Sequence, residues 1–226
     1  MQYAIIVAGG KGERMGTAVP KQFLLLKGKP ILMHTMEKFE KTIPNIKIIL
    51  ALPENQIDFW EGLCVKHSFT LSYQLVKGGK TRFHSVKNAL ALVTEDGIVA
   101  IHDGVRPLVS TNTINSCFNA AKELGNAIPT IDVVESLRHI SKQENTNKAV
   151  ARNCYQLVQT PQCFQSDLIL KAYQQEFDAT FTDDASVVEK LGEHINLVDG
   201  NRENIKITTQ EDLIIAEALI NATSSL

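Results

Sequence analysis

Short apolar runs alternate with longer amphipathic stretches over the first two-thirds of the chain, and this rhythm limits the fold more than any other feature. Residues 3–7 (Tyr-Ala-Ile-Ile-Val) read as a buried strand, and 9–16 as a glycine-rich loop. Residues 30–41 read as a helix, with Pro30 suited to its first turn and Met33, Met36 and Phe39 at helical spacing. Strands are predicted at 46–52, 71–76, 98–101 and 126–131, and helices at 54–64, 81–92 and 111–124. This alternation predicts an α/β, Rossmann-like three-layer fold with a mostly parallel central sheet. Such folds bind ligands at the carboxyl ends of their strands. The glycine-rich and charged clusters all follow strands, so one crevice is the expected site.

The rhythm breaks at Asp132. From 133 to 158 no helical period survives, and the polar stretch 141–147 separates two extended runs. The pattern predicts an inserted β-hairpin arm over about 133–158 within a single 226-residue domain. A two-stranded hairpin is marginal alone, so the expected partner is a second copy of the chain, giving a homodimer. Helices are predicted at 166–177 and 183–191, and short strands at 195–198 and 205–208. A last helix begins after Thr209, with Asp212 placed for a capping box.

Composition excludes several classes. Lys+Arg number 23 against Asp+Glu 25, a net charge of −2, so a nucleic-acid partner is not expected. No run of 18 apolar residues offers a membrane span, and Met1-Gln2-Tyr3 lacks the basic start of a signal peptide. Cys64, Cys117, Cys154 and Cys163 form no C-x-x-C pair and read as reduced thiols of a cytoplasmic protein.

The strongest chemical signal is Ala8-Gly-Gly-Lys-Gly-Glu-Arg-Met-Gly16, followed by Pro20-Lys21-Gln22. Glycines let an anion approach backbone N–H groups, and Arg14 and Lys21 add two cations, a combination that suits a triphosphate. It is not a P-loop: Gly79-Lys80-Thr81 imitates the tail of one, but Gln74 stands where its first glycine belongs. Nor is it a dinucleotide fingerprint, since Met15 replaces the third glycine. Gly78-Gly79-Lys80-Thr81-Arg82 with Ser85, His102-Asp103-Gly104-Val105-Arg106-Pro107, Thr160-Pro161-Gln162 and Asn204-Ile205-Lys206 are weaker clusters, each also readable as ordinary turns or surface charge. A carboxylate beside an arginine at a strand end, as in Asp103 and Arg106, suits Mg²⁺ with a ribose or phosphate. No two aspartates stand at i and i+2, which argues against a D-x-D glycosyltransferase, and no G-x-S-x-G elbow is present.

Taken in order, these motifs, with Thr182-Asp-Asp-Ala-Ser186, resemble those of the 2-C-methyl-D-erythritol 4-phosphate cytidylyltransferases, over nearly the whole chain. The resemblance implies transfer of a cytidylyl group from CTP to a sugar-alcohol phosphate, with Mg²⁺ or another divalent cation. It implies that Ala8, Gly9, Gly10 and Gly12 wrap CTP, and that Arg14 and Lys21 stabilise the transition state. It assigns Gly79 and Ser85 to the cytosine, and Asp103 to CTP and the metal. Arg106, Ser136, Arg152, Thr160 and Lys206 fall to the sugar phosphate, with Arg152 reaching the partner's site from an exchanged arm. The chain departs from the pattern at Glu135-Ser136, where Asp-Thr is usual, and at Gly104-Val105, where two alanines are common. Pentitol 5-phosphate cytidylyltransferases share most of these motifs, and a non-catalytic CTP-binding dimer is the reading outside enzymology.

Overall fold

The computed structural model describes residues 1–9 and 19–223. In chain order the described elements are β1 (Gln2–Val7), β2 (Leu25–Leu26), β3 (Lys29–Pro30), α1 (Ile31–Thr42), β4 (Lys47–Leu52), α2 (Ile57–Lys66), β5 (Gln74–Lys77) and α3 (Arg82–Leu90). They continue with β6 (Ile98–Asp103), α4 (Thr111–Leu124), β7 (Asn126–Asp132), β8 (Leu137–Ser141), β9 (Thr146–Val150) and β10 (Gln156–Val158). The rest are β11 (Gln162–Gln165), α5 (Ser166–Ala172), α6 (Asp184–Glu189), β12 (Leu197–Asp199) and α7 (Gln210–Thr223).

The main sheet runs β10-β7-β11-β6-β1-β4-β5, with β12 also on β7. β1 pairs in parallel with β4 and β6, β4 with β5, and β7 with β12. Among the described strands of this sheet, only β10 and β11 run antiparallel to their neighbours. The period of two along β1 divides the core. Ala4 and Ile6 pack on one face with α1 and α4, through Met33, Met36, Ile114 and Phe118. Tyr3, Ile5 and Val7 pack on the other with α3, α5 and α6, through Phe83, Val86, Ile169 and Val188. Each such aliphatic or aromatic side chain contributes about 1.5–3 kcal/mol by leaving water. The result is the three-layer α/β fold that the alternation predicts.

The helices begin where their caps are. Thr81 accepts the His84 N–H at the start of α3, and Ser110 accepts the Thr113 N–H at 2.9 Å before α4. Asp183 and Ser186 form a reciprocal capping box on α6. At α7 the Thr209 N–H donates to Asp212 Oδ2 at 2.9 Å and the Asp212 N–H to Thr209 Oγ1 at 3.3 Å.

Several boundaries differ from the sequence reading. β5 starts later than expected and is only four residues long, and the helix expected from 54 opens with a 3₁₀ turn (Glu54–Gln56) before α2. The strand expected at 205–208 is not one. Ile207 makes a single ladder-like bond, from its N–H to the Val105 carbonyl at 3.0 Å, while its side chain is buried with Leu26, Ile31, Val105 and Ala216. Its alternation therefore serves a small cluster under α7. Conversely, β11 is a strand that the pattern does not show. Its apolar content is only Cys163 and Phe164, both fully buried. The polar Gln162 is buried because its side chain donates to Asp183 Oδ2 at 2.7 Å and accepts the Ala185 N–H at 2.9 Å.

The hairpin is present but shorter than 133–158. β8 and β9 pair with each other alone among the described strands, whereas β10 returns to the main sheet. Val134, Ile140, Tyr155, Leu157 and Val158 remain exposed around the arm and its base. Among the described residues no helix is long and apolar enough to cross a membrane.

Candidate active site

β1 and β6 lie side by side in parallel and end together at Val7 and Asp103. Beyond these ends the chain leaves a cavity of about 300 Å³. Its walls include Ala8, Gly9, Lys21, Gly79, Ser85, Asp103 and Lys206, so seven residues singled out in the sequence meet in one place. Gln22, Lys80, Thr81 and Arg82 complete much of the rest. Gly10, Gly12 and Arg14 lie outside the described residues.

Within this lining, Gly79 and Ser85 form a tightly built pair. The Ser85 hydroxyl donates to the Thr81 carbonyl at 3.0 Å and accepts the Gly79 N–H at 3.0 Å. Its single proton is therefore used, and what it has left is acceptor capacity. A Cβ on Gly79 would stand 2.3 Å from Cβ of His84 and 2.8 Å from its backbone carbon, so only glycine fits there without movement. Lys21 lines the cavity from a 3₁₀ turn (Lys21–Phe23), and the neighbouring Gln22 donates to the Ala8 carbonyl at 2.9 Å. That bond ties the turn to the end of β1.

The charged part of the lining centres on Asp103. Asp103 Oδ2 receives Lys206 Nζ at 3.0 Å and Arg106 Nε at 3.3 Å, and Oδ1 faces Arg82 Nε at 3.7 Å. Burial alone would raise the Asp103 pKa, but Arg82, then Lys206 and Arg106, hold it well below the usual carboxylate range. The described lining residues carry four cations (Lys21, Lys80, Arg82 and Lys206) against this one carboxylate. With Arg82 also paired to the Asp184 carboxylate, four cations face two carboxylates, and the remaining positive charge favours an anion in the cavity.

Behind Asp103 lies a buried polar layer. The Asp103 N–H donates to Thr160 Oγ1 at 3.2 Å, and Thr160 Oγ1 lies 2.9 Å from His102 Nδ1. His102 Nε2 lies 3.1 Å from the Arg106 carbonyl, which can only accept. The proton of a neutral ring is thus on Nε2, and Thr160 donates to Nδ1. Burial lowers the His102 pKa to about 4, which keeps the ring neutral. Asn204, fully buried, donates to the Thr160 carbonyl at 2.8 Å, and its own carbonyl accepts Arg106 Nη1 at 2.7 Å.

Thr160 and Arg106, expected at the sugar phosphate, lie behind Asp103. In this chain they brace Asp103, and neither is among the residues lining the cavity. Ser136 and Arg152 also lie away from it, at the base of the arm, where Arg152 donates to the Val134 carbonyl. Four participants carry no role in the pattern reading. Arg82 is visible in its motif but carries no assignment there. Asp184, which Arg82 bonds through both terminal nitrogens at 2.8 and 2.6 Å, lies in the 182–186 motif but has no role assigned to it there, and Tyr173 gives no signal, because nothing local reports a pairing across that much chain. His102 is embedded in a motif whose charged members dominate the reading.

The sequence model of the family described as 2-C-methyl-D-erythritol 4-phosphate cytidylyltransferase matches residues 2–222. A protein of that name from Bacteroides fragilis is 56% identical over 217 residues, covering 96% of this chain and 98% of its own. One from Bacillus cytotoxicus is 39% identical, covering 98% of each. The crystal structure of the enzyme so named from Thermus thermophilus superposes with a TM-score of 0.78 at 30% identity, over 98% of this chain and 100% of that one. With a match this long and these identities behind it, the chain belongs to the 2-C-methyl-D-erythritol 4-phosphate cytidylyltransferase family of nucleotidyltransferases.

Proposed function

We propose that this chain transfers the cytidylyl group of CTP to 2-C-methyl-D-erythritol 4-phosphate, giving 4-diphosphocytidyl-2-C-methyl-D-erythritol and pyrophosphate, as a step of isoprenoid precursor synthesis. The observation that carries the reading is the cavity itself: the close-fitted Gly79 and Ser85, fit for a base, line the same space as Lys21, Lys80, Arg82 and Lys206, fit for phosphate groups, in a chain of this family.

The nucleophile is a phosphate monoester oxygen, and the electrophile is the α-phosphorus. A new P–O bond forms there as the bond to the β-phosphate oxygen breaks. The second pKa of a phosphate monoester is about 6, so the nucleophile is largely dianionic at pH 7 and needs no general base. His102 accordingly serves as a neutral brace. The obstacle is repulsion between a dianion and a triphosphate. Lys21, with Arg14, lowers it from the CTP side, and Lys206 draws in the sugar phosphate. Ser85 Oγ, left with acceptor capacity alone, suits the amino group of cytosine, a donor where uracil carries an acceptor.

The donor set fits a divalent cation held mainly by the triphosphate. Asp103 offers one carboxylate, and among the described residues no three His, Cys, Asp or Glu side chains converge on a metal position. When bound there, Mg²⁺ neutralises phosphate charge. The arm supports a homodimer: among the described strands β8 and β9 pair only with each other, and apolar residues are exposed beside them. Arg152 and Ser136 would then serve the partner's cavity. Four free thiols suit the cytoplasm.

Pyrophosphate release from CTP and Mg²⁺, measured separately with 2-C-methyl-D-erythritol 4-phosphate and ribitol 5-phosphate, tests the reading. Release with the first alone is expected. Release with ribitol 5-phosphate alone would move the protein to the pentitol alternative, which the family match does not favour. Silence with both, from folded protein that binds CTP, would leave a nucleotide-binding dimer.

A further inference from the structure

Arg82 is shared between two carboxylates, and the division is unequal. Asp184, the first residue of α6 and fully buried, accepts Arg82 Nη1 on Oδ1 at 2.8 Å and Nη2 on Oδ2 at 2.6 Å. The Tyr173 hydroxyl adds a third bond to Oδ1 at 2.6 Å. Burial, and the Asp184 charge beside it, keep that phenol protonated and hence a donor. A guanidinium gripped through both terminal nitrogens keeps Nε–H and one outer N–H on each terminal nitrogen, and of these Nε is the one that faces Asp103. Here Nε points at Oδ1 of Asp103, at 3.7 Å, a distance that holds an ion pair but no hydrogen bond.

Asp103 keeps Oδ2 for Lys206 and Arg106 for this reason. If both terminal nitrogens of Arg82 lost their partner, the nearest carboxylate would be Asp103. A fork-to-fork grip there would occupy both of its oxygens and compete directly with Lys206. The ammonium that faces the cavity would then lose its anchor.

We propose that Asp184 is a positioning residue for the reaction: by engaging both terminal nitrogens of Arg82, it keeps the guanidinium from closing on Asp103 and so keeps Lys206 in place for the sugar phosphate. The kinetic part of this inference rests on the proposed reaction. A part that does not is the position of Lys206 in the protein without ligands.

Two readouts on Asp184→Asn test it. The first is the ¹³Cε resonance of Lys206 in ligand-free protein, assigned with Lys206→Arg. The second is steady-state kinetics with both substrates varied. The expected result is a displaced Lys206 resonance and a sugar-phosphate KM raised at least tenfold, with the CTP KM within twofold of wild type. A lowered melting temperature with an unmoved resonance and unchanged KM values would make Asp184 merely structural and overturn the proposal. If Asp184→Asn does not fold, Tyr173→Phe decides. Loss of one bond to Asp184 should raise the sugar-phosphate KM two- to fivefold and shift the resonance in the same direction, and no change in either overturns the proposal. A wild type inactive with the sugar phosphate would overturn the reaction but leave the resonance test standing.

Discussion

Lys206 Nζ lies 3.0 Å from Oδ2 of Asp103, so the last charged motif of the chain closes on the carboxyl end of β6. Lys206 sits on an extended connection whose neighbour Ile207 is fixed by its buried side chain and its bond to Val105. The ammonium is thus held from below by packing and from the side by a carboxylate.

Lys206→Ala should raise the KM for the sugar phosphate. A hydrogen bond to a charged group contributes about 1.5–3 kcal/mol, or about 10- to 100-fold in KM. Steady-state kinetics with each substrate varied checks this, and a rise confined to the CTP KM would assign Lys206 to the nucleotide.

Lys21→Ala should act on the chemistry. A preorganised donor at developing charge is worth about 10²–10³ in kcat. Single-turnover rates at saturating CTP and sugar phosphate measure it directly, and an unchanged rate would remove Lys21 from the transition state.

Gly79→Ala should weaken CTP binding. The added Cβ meets the first turn of α3 at His84, and relief displaces either the turn or Ser85. Overpacking of this kind costs about 1–3 kcal/mol, so the CTP dissociation constant, read by calorimetry, should rise about tenfold or more while sugar-phosphate binding changes little.

His102 should make stability fall with acid. Its folded pKa, about 4, lies below the unfolded value of 6.5, so the unfolded chain binds more protons between the two. The contribution is full above pH 6.5 and is lost as pH falls towards 4, amounting to about 3 kcal/mol over that window. Urea unfolding of wild type and His102→Asn across about pH 4–7 should show a shallower slope in the variant.

Arm exchange predicts complementation. Arg152→Ala and Lys21→Ala should each be nearly inactive. Heterodimers formed by mixing and reassembling them would pair an intact Lys21 with an intact Arg152 in one of their two sites. Activity should recover to about a quarter of wild type, since half the dimers are mixed. No recovery from verified heterodimers would mean that each arm serves its own chain.

The alternation of apolar runs carries the fold because parallel strands buried on both faces need continuous apolar sequence, as β1, β4 and β6 show. The residues around the cavity are legible where chemistry needs a rare local pattern, as at Gly79, Ser85 and Asp103. What stays hidden is of another kind. β11 is polar at both ends, and its burial depends on Gln162 finding Asp183 and Ala185. Residues 205–208 alternate like a strand but pack beneath a helix. Asp184 stands in the 182–186 motif, but its partner is hidden until the fold brings Arg82 to it. Thr160 and Arg106 stand out as important positions, yet which way they face is decided by Asn204 and His102, both distant from Thr160 in sequence.

The two parts of the cavity lining also divide the work of an inhibitor. Attraction to the lysine-rich part rewards almost any phosphate, sulfate or carboxylate, so potency gained there would come with little discrimination from other anion-handling enzymes. Gly79 and Ser85 themselves carry no charge but have a fixed shape and an unused acceptor. A compound intended to spare other nucleotide enzymes should be anchored on that pair first, with any negative charge added only afterwards.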